Sequence, residues 1–285
     1  MPNSSVTIQA ALAKASLKLA KLTKTNADGR FEAELLLGFA LGKNRSFLRA
    51  FDETILTVNQ YQQFINYIER REQGEPIAYI LGEREFWSLP FKVTAATLIP
   101  RADTEVLVEY VLTHLAKKEN LRIVDLGTGT GAIGCALAHS RPNWQLEAVD
   151  FSRAALSVAK ENAERLGLNN IKFHYGSWCE PLSGFYDAIV SNPPYIEEQD
   201  QHLEQGDLRF EPRTALASGE QGLDDIELII DQAPAFLNPR GLLALEHGYQ
   251  QGLAVQSLLK KAGFINIKTV QDLSGQDRVT VAYQL

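Results

Sequence analysis

Asn192-Pro193-Pro194-Tyr195 follows a short apolar run, Ile189-Val190-Ser191, and its residue types suit one chemical task, holding a flat –NH2 group. Two consecutive prolines remove two backbone donors and fix the chain in an extended form. The Pro193 carbonyl is then free to accept a hydrogen bond, and the Asn192 side-chain oxygen is a second acceptor close by. Tyr195 offers a flat face beside them. An amide or exocyclic amine nitrogen is a poor nucleophile because its lone pair is delocalised. Accepting hydrogen bonds from both N–H groups raises its electron density, and holding it in line with a sulfonium methyl supplies proximity. The proton can leave after transfer, so no strong base is required. Neither a G-x-S-x-G elbow nor H-E-x-x-H occurs in the chain. Taken alone, the tetrapeptide also reads as a proline-rich turn.

A second motif closes an earlier β-branched run. Val124-Asp125-Leu126 leads into Gly127-Thr128-Gly129-Thr130-Gly131, where alternate glycines let the backbone turn sharply and approach a ligand. A ligand held there lies outside the carboxyl ends of the strands. The next apolar run ends in Asp150, whose carboxylate can accept from both hydroxyls of a ribose. Together they make a nucleoside-cofactor signature. Gly127-x-Gly129-x-x-Ala132 also fits the dinucleotide fingerprint, so the loop leaves a NAD-type enzyme open. Asp150 alone could cap the helix that follows.

The elements that must position these residues follow from periodicity. Residues 1–80 read as a small helical bundle: 6–22 carries Ile8, Leu12, Leu17 and Leu19, 31–41 carries Phe31, Leu35 and Phe39, and 61–71 carries Phe64, Ile65 and Ile68. Gly74-Glu75-Pro76 breaks that register, and 77–100 reads as a β-hairpin ending in an irregular stretch. From Leu121 strands and helices alternate. Strands are predicted at Arg122–Leu126, Gln145–Asp150, Ile171–Tyr175, Tyr186–Ser191, 242–246, 265–270 and 278–283. The last is reached without a helix, which predicts a mostly parallel sheet with one antiparallel strand.

Composition narrows the class. The net charge of −7 is concentrated after the near-neutral first 85 residues, which argues against a long nucleic-acid footprint. The apolar runs are too short to span a bilayer, and the N-terminus does not read as a secretory signal. Cys135 and Cys179 form no C-x-x-C and no cluster with metal-ligand spacing, so no metal is expected and a reduced cytoplasmic protein is the simplest reading. Cys135 reads as a small buried residue, His247 as structural, and Phe86 and Trp87 as hairpin packing. Arg101, Thr104 and Glu105 precede a helix at 105–115. They read either as its cap, with Asp103 or Thr104 at the N-cap position, or as a loop over the active site. Trp178 reads as core or as an adenine contact.

The order Asp125-Leu126-Gly127-Thr128-Gly129-Thr130-Gly131, Asp150, Asn192-Pro193-Pro194-Tyr195 resembles class I methyltransferases. More specifically, the chain is similar to the peptide chain release factor glutamine-N5 methyltransferases, the HemK/PrmC family. The likeness extends through Gly74-Glu75-Pro76-Ile77-Ala78-Tyr79-Ile80-Leu81-Gly82, Leu98-Ile99-Pro100-Arg101-Ala102-Asp103-Thr104-Glu105, Arg209-Phe210-Glu211-Pro212, Leu245-Glu246-His247-Gly248 and Gly275-Gln276-Asp277-Arg278-Val279. One departure is Ala102, where the family commonly has a second proline.

The resemblance implies a helical substrate-docking domain at 1–82, a hairpin connector at 83–100 and, at 101–285, an α/β catalytic domain with a seven-stranded, Rossmann-like class I methyltransferase sheet. It implies S-adenosylmethionine as cofactor, S-adenosylhomocysteine as product, and class I release factors as partners, methylated on the glutamine of a Gly-Gly-Gln motif. Gly127, Thr128, Gly129, Thr130 and Gly131 would face the methionine part of the cofactor, Asp150 its ribose and Trp178 its adenine. Asn192 counts with both the cofactor and the substrate sets. Asn192 and Pro193 would hold the amide with Tyr195 against it as the catalytic set, and Pro194, Arg101, Thr104 and Glu105 complete the substrate side. The nearest rival is an adenine-N6 methyltransferase on DNA or RNA, whose planar amine the same tetrapeptide would fit; a stable nucleic-acid partner is not expected. A nucleoside-binding module without activity and a NAD-dependent oxidoreductase are the other readings.

Overall fold

The computed structural model describes residues 6–22, 26–116 and 119–285. The chain divides between Gly82 and Glu83 into two compact units.

The first unit is helical: α1 (Ile8–Leu19), α2 (Asn26–Leu41), α3 (Arg45–Ala50), α4 (Val58–Glu72) and α5 (Ile77–Leu81). Side chains start these helices. The Thr7 hydroxyl accepts from Ala10 N at the head of α1, and Thr57 and Gln60 form a reciprocal capping box on α4. The core is made by Ile8, Leu12 and Leu19 of α1, Ala33, Leu36 and Leu37 of α2, and Phe64 and Ile68 of α4. Two expectations change here. The Phe31–Leu35–Phe39 stripe is not the buried face of α2: Phe31 is 45% and Phe39 48% exposed. At about 100° per residue the stripe through 33, 36 and 37 lies on the opposite side of the helix. An apolar-rich helix satisfies the four-residue spacing on both sides, and the smaller Ala33 sits on the side that meets α1 and α4. Secondly, 77–81 is one helical turn rather than part of the hairpin. Pro76 precedes it, and Gly82 closes it in the left-handed conformation at φ 72°.

The second unit opens with the hairpin β1 (Glu83–Phe86) and β2 (Leu89–Lys92). Its two-residue turn, Trp87-Ser88, has both φ positive, 53° and 58°, as a primed hairpin turn demands. Neither residue is glycine, so the turn is held from outside. Trp87 N donates to Glu105 Oε1 at 2.8 Å and Trp87 Nε1 to Ser140 Oγ at 3.1 Å. Then follow α6 (Glu105–His114), β3 (Arg122–Leu126), α7 (Ala132–Ser140), β4 (Gln145–Asp150), α8 (Arg153–Arg165), β5 (Ile171–Tyr175), β6 (Tyr186–Ser191), α9 (Asp224–Gln232), β7 (Leu237–Glu246), α10 (Gly252–Lys261), β8 (Ile265–Gln271) and β9 (Asp277–Tyr283).

Among the described residues these strands form one seven-stranded sheet in the order β5-β4-β3-β6-β7-β9-β8, with β9 antiparallel to both neighbours and the remaining pairs parallel. The period of two along each strand divides the core in two. Ile123, Ala188, Val190, Leu242 and Ala244 face α6 and α7, whereas Val124, Ile189, Leu243 and Leu245 face α9 and α10. Burial on both faces explains why these strands read as continuous apolar runs.

Buried Asn162 of α8 fastens the hairpin to the glycine loop. Its Nδ2 donates to Lys92 O at 3.0 Å and Thr130 O at 2.9 Å, and its Oδ1 accepts from Lys92 N at 2.7 Å. Asn162→Ala leaves these backbone groups without partners and is expected to cost about 2 kcal/mol of unfolding free energy. Urea titration of both proteins checks this; an unchanged midpoint would contradict the clamp.

Candidate active site

The carboxyl ends of β3, β4, β5 and β6 meet at one edge of the sheet. Leu126 is in register with Val149 and Ser191, and Asp150 with Tyr175. Parallel strands place every following loop on the same side, so the loop 127–131, the 150–152 turn, residues 176–178 and the 192–195 segment converge. They enclose a cavity of about 300 Å³.

The glycine loop is braced from beneath. Buried Asp125 Oδ2 accepts from Thr128 Oγ1 at 2.6 Å and Gly134 N at 3.0 Å. Burial pushes the Asp125 carboxyl up to about 7, and its Oδ1 has no partner among the described residues. Gly127 has φ 68°, and a Cβ there would stand 3.1 Å from Trp178 Cζ3, so glycine is required both for the turn and for the indole's approach. Asp150 crosses between loops: Oδ2 accepts from Gly129 N at 2.9 Å and Oδ1 from Ser152 N at 2.8 Å. The α8 N-cap itself is Ser152, whose hydroxyl accepts from Ala155 N. Burial raises the Asp150 pKa against those two backbone donors. Each oxygen has used one acceptor direction, leaving others for a diol on the cavity side.

Asn192, Pro194, Arg101 and Thr104 also line the cavity. Ser191 Oγ donates to Leu126 O at 2.7 Å, fixing the end of β6 against that of β3. Asn192 Nδ2 donates to Thr104 Oγ1 at 3.2 Å, which leaves Asn192 Oδ1 as its free acceptor. Arg101 Nη2 donates to both oxygens of buried Glu211, at 2.8 and 2.7 Å. Burial nevertheless holds the Glu211 carboxyl up at about 7. This pair ties residues 100–104 to the segment containing Pro212, Thr214 and Ala215, which also line the cavity.

Residues 10–82 match the PrmC N-terminal domain, and residues 103–210 match the methyltransferase small domain. The chain is 51% identical over 252 residues to a release factor glutamine methyltransferase of Salmonella typhimurium, covering 88% of this chain and 91% of that protein. It is 48% identical over 280 residues to one of Vibrio cholerae, covering 97% and 96%. The chain belongs to the release factor glutamine methyltransferase family. A solved methyltransferase from Pyrococcus furiosus aligns with TM-score 0.53 at 17% identity, over 77% of this chain and 98% of that one; it shares the fold. Membership makes the chain a methyltransferase, and the class I sheet implies S-adenosylmethionine as donor.

With that family in view, the residues singled out from sequence separate into groups. Gly127, Thr128, Gly129, Thr130, Asp150, Trp178, Asn192, Pro194, Arg101 and Thr104 all line the cavity. Thr104 stands at the N-cap position of α6 but makes no side-chain capping hydrogen bond there, and it also lines the cavity. Gly131, Glu105, Pro193 and Tyr195 are not cavity-lining residues. Gly131 lies against Ala159 and Cys135 and serves close packing behind the loop. Glu105 Oε1 accepts from Trp87 N and so anchors the hairpin turn, a role that sequence reasoning did not give it. The Tyr195 side chain packs with the core of α9 and α10, and its hydroxyl donates to Glu246 Oε1 at 3.3 Å, so its face does not form the wall. Sequence reasoning missed Phe151, which lines the cavity beside Asp150, and it read Phe86 as packing alone although Phe86 also reaches the cavity. The signal for Phe151 was its position, one residue past the strand-end acid.

Proposed function

We propose that this chain transfers a methyl group from S-adenosylmethionine to the side-chain amide nitrogen, N5, of the glutamine in the Gly-Gly-Gln motif of class I peptide chain release factors, in the cytoplasm. One observation carries the reading. Asn192, with its amide nitrogen engaged by Thr104, lines the same cavity as the glycine loop and Asp150.

The chain's residues fit the donor. Asp150 offers charged acceptor directions to a ribose, the glycine loop leaves backbone-lined space, and Phe151 and Trp178 offer apolar planes to a base. When bound, S-adenosylmethionine supplies an electrophilic sulfonium methyl. Asn192 Oδ1 accepts one hydrogen of the substrate amide. The Pro193 carbonyl, bonded to the ring nitrogen of wall-lining Pro194, accepts the other. Both bonds enrich the nitrogen and aim its lone pair. The N–C bond forms as the S–C bond breaks, leaving a thioether and an amide nitrogen that has become acidic enough to release its proton to water. We further propose 1–82 as the unit that docks the partner, since one short loop in a cavity buries little area.

The test offers radiolabelled S-adenosylmethionine with an intact release factor, the same factor with its Gly-Gly-Gln glutamine changed to alanine, and duplex DNA. Label is expected on the first alone. Label on DNA would replace this reading with the adenine one, and undiminished label on the glutamine-free factor would move the acceptor elsewhere.

A further inference from the structure

The two prolines that leave the Pro193 carbonyl free also strip the acceptor segment of its own anchors. Residues 193 and 194 have no backbone N–H, so the first main-chain donor after Asn192 is that of Tyr195. An extended stretch of this kind keeps its place only if its far end is held. Tyr195 N donates to Leu216 O at 3.2 Å, and Ile196 N to the same oxygen at 2.9 Å. The Tyr195 carbonyl is held by a side chain: Gln251 Nε2 donates to it at 3.0 Å.

Gln251 stands immediately before α10, in the turn that follows β7. β7 is parallel to β6, with Leu245 in register with Ser191, so this turn leaves the sheet at the same edge as the diproline. A side chain at the N-cap position ordinarily accepts from the first turn of its own helix, but Gln251 makes no such bond. It is used elsewhere. Nε2 also donates to Gln221 O at 3.1 Å and Gly222 O at 3.3 Å, and Oε1 accepts from Gly248 N at 2.8 Å. Three carbonyls against one end and an N–H against the other dictate which way the amide is turned. Gly222 completes the fit: at φ 67° a Cβ there would run into the Tyr195 carbonyl and stand 2.9 Å from Gln251 Nε2.

We infer that Gln251 is a positioning residue for methyl transfer: by holding the Tyr195 carbonyl it fixes the far end of the diproline, and with it the direction of the Pro193 carbonyl. The inference rests on the methyl-transfer reading given above, in which that carbonyl accepts one N–H of the substrate amide. Two successive proline rings lock φ, so the segment is stiff and an orientation set at Tyr195 carries back to Pro193. The near end is held separately, by Ser191 on Leu126 O and by Asn192 on Thr104. Each of the two acceptors thus has its own anchor, and the substrate nitrogen is aimed only when both are in place. A misplacement of about 1 Å in such an arrangement can cost on the order of a hundred-fold in rate. None of the Gln251 side-chain hydrogen bonds goes to the glycine loop, Asp150 or Trp178, so donor binding is left alone.

Three substitutions divide the side chain's two tasks. In Gln251→Lys the ammonium can donate to the carbonyls but cannot accept from Gly248 N. In Gln251→Glu the carboxylate can accept from Gly248 N but sets a negative charge against the carbonyls. Gln251→Met does neither at similar length. The experiment measures kcat and KM for intact release factor far below each variant's melting temperature, with the S-adenosylhomocysteine-induced melting shift as the check on folding and the donor site. Gln251→Glu and Gln251→Met are expected to keep that shift and to lose kcat by roughly ten- to a hundred-fold, with KM changing less. Gln251→Lys should recover most of the loss. Gly222→Ala, which presses on the same carbonyl from another segment, should lower kcat as Gln251→Met does. A role confined to the turn after β7 would give the reverse order, glutamate near wild type and lysine impaired, and would overturn the inference. Loss of the melting shift together with kcat would mean collapse of the cavity rather than positioning, and would overturn it too. If the wild type methylates the factor while Gln251→Met and Gly222→Ala keep wild-type kcat, this inference falls alone. If the wild type leaves the factor unlabelled, the functional reading falls and this inference with it.

Discussion

Replacing Asn192 by alanine is expected to reduce turnover on release factor by on the order of 2–4 kcal/mol in activation free energy, about thirty- to a thousand-fold. The residue sits at the end of β6, where Ser191 is pinned to Leu126 O at 2.7 Å and the Asn192 amide is pinned to Thr104. The acceptor is thus preorganised and spends no energy turning toward the substrate when the nitrogen begins to carry charge. Alanine leaves one N–H of the substrate amide without a partner, and the nitrogen loses both electron density and aim. The ground state can recover much of that loss by bonding to water, so the deficit should fall on kcat more than on KM. Single-turnover label transfer separates the two. The melting shift with S-adenosylhomocysteine should remain, because the Asp150 and glycine-loop contacts are untouched. Near-normal methylation by this variant would mean that the amide is held somewhere else in the cavity.

Much of this arrangement was legible in the sequence because it depends on local rules. Alternate glycines after a β-branched run, an acid closing the next run, and two prolines after another each report a strand end. Parallel topology then carries all three to one edge without further information. What was not legible depends on which residues meet across distance. Phe31 and Phe39 satisfy a helical period as well as Ala33 and Leu36 do; only packing against α1 and α4 decides between them. Glu105 opens α6 next to cavity-lining Thr104, yet one oxygen of its carboxylate is engaged by a hairpin turn 18 residues earlier. Tyr195 offered an aromatic plate on paper, but a buried phenol seeks a hydrogen-bond partner, and Glu246 provides it at the far side of the ring. Nothing near residue 192 in the chain announces Glu246 or Glu211. Each comes to the site through the order of strands or the return of a long loop.

Asp150→Ala is expected to weaken S-adenosylhomocysteine binding by about 2–3 kcal/mol, roughly thirty- to 150-fold in Kd, as a charged acceptor for the ribose hydroxyls is removed. The structure adds a second consequence. Asp150 also receives Gly129 N at 2.9 Å and Ser152 N at 2.8 Å, so its carboxylate sets the distance between the glycine loop and the start of α8. The ligand-free variant should therefore melt lower than the wild type, and absolute melting temperatures would mix the two effects. The difference between ligand-free and saturated protein isolates the first, since a ligand that binds only the folded state stabilises it by an amount set by concentration over Kd. At a ligand concentration that gives the wild type a clear shift, the variant's shift should largely vanish and return only when the ligand is raised by the same factor as Kd. Asp150→Asn makes a sharper comparison. It keeps one oxygen, but its –NH2 must face either Gly129 N–H or Ser152 N–H, a donor against a donor. The asparagine variant should therefore bind closer to alanine than to aspartate. Full binding by Asp150→Asn would show that charge and the two-sided acceptor are dispensable, and the ribose would then have to be held by other groups on the cavity wall.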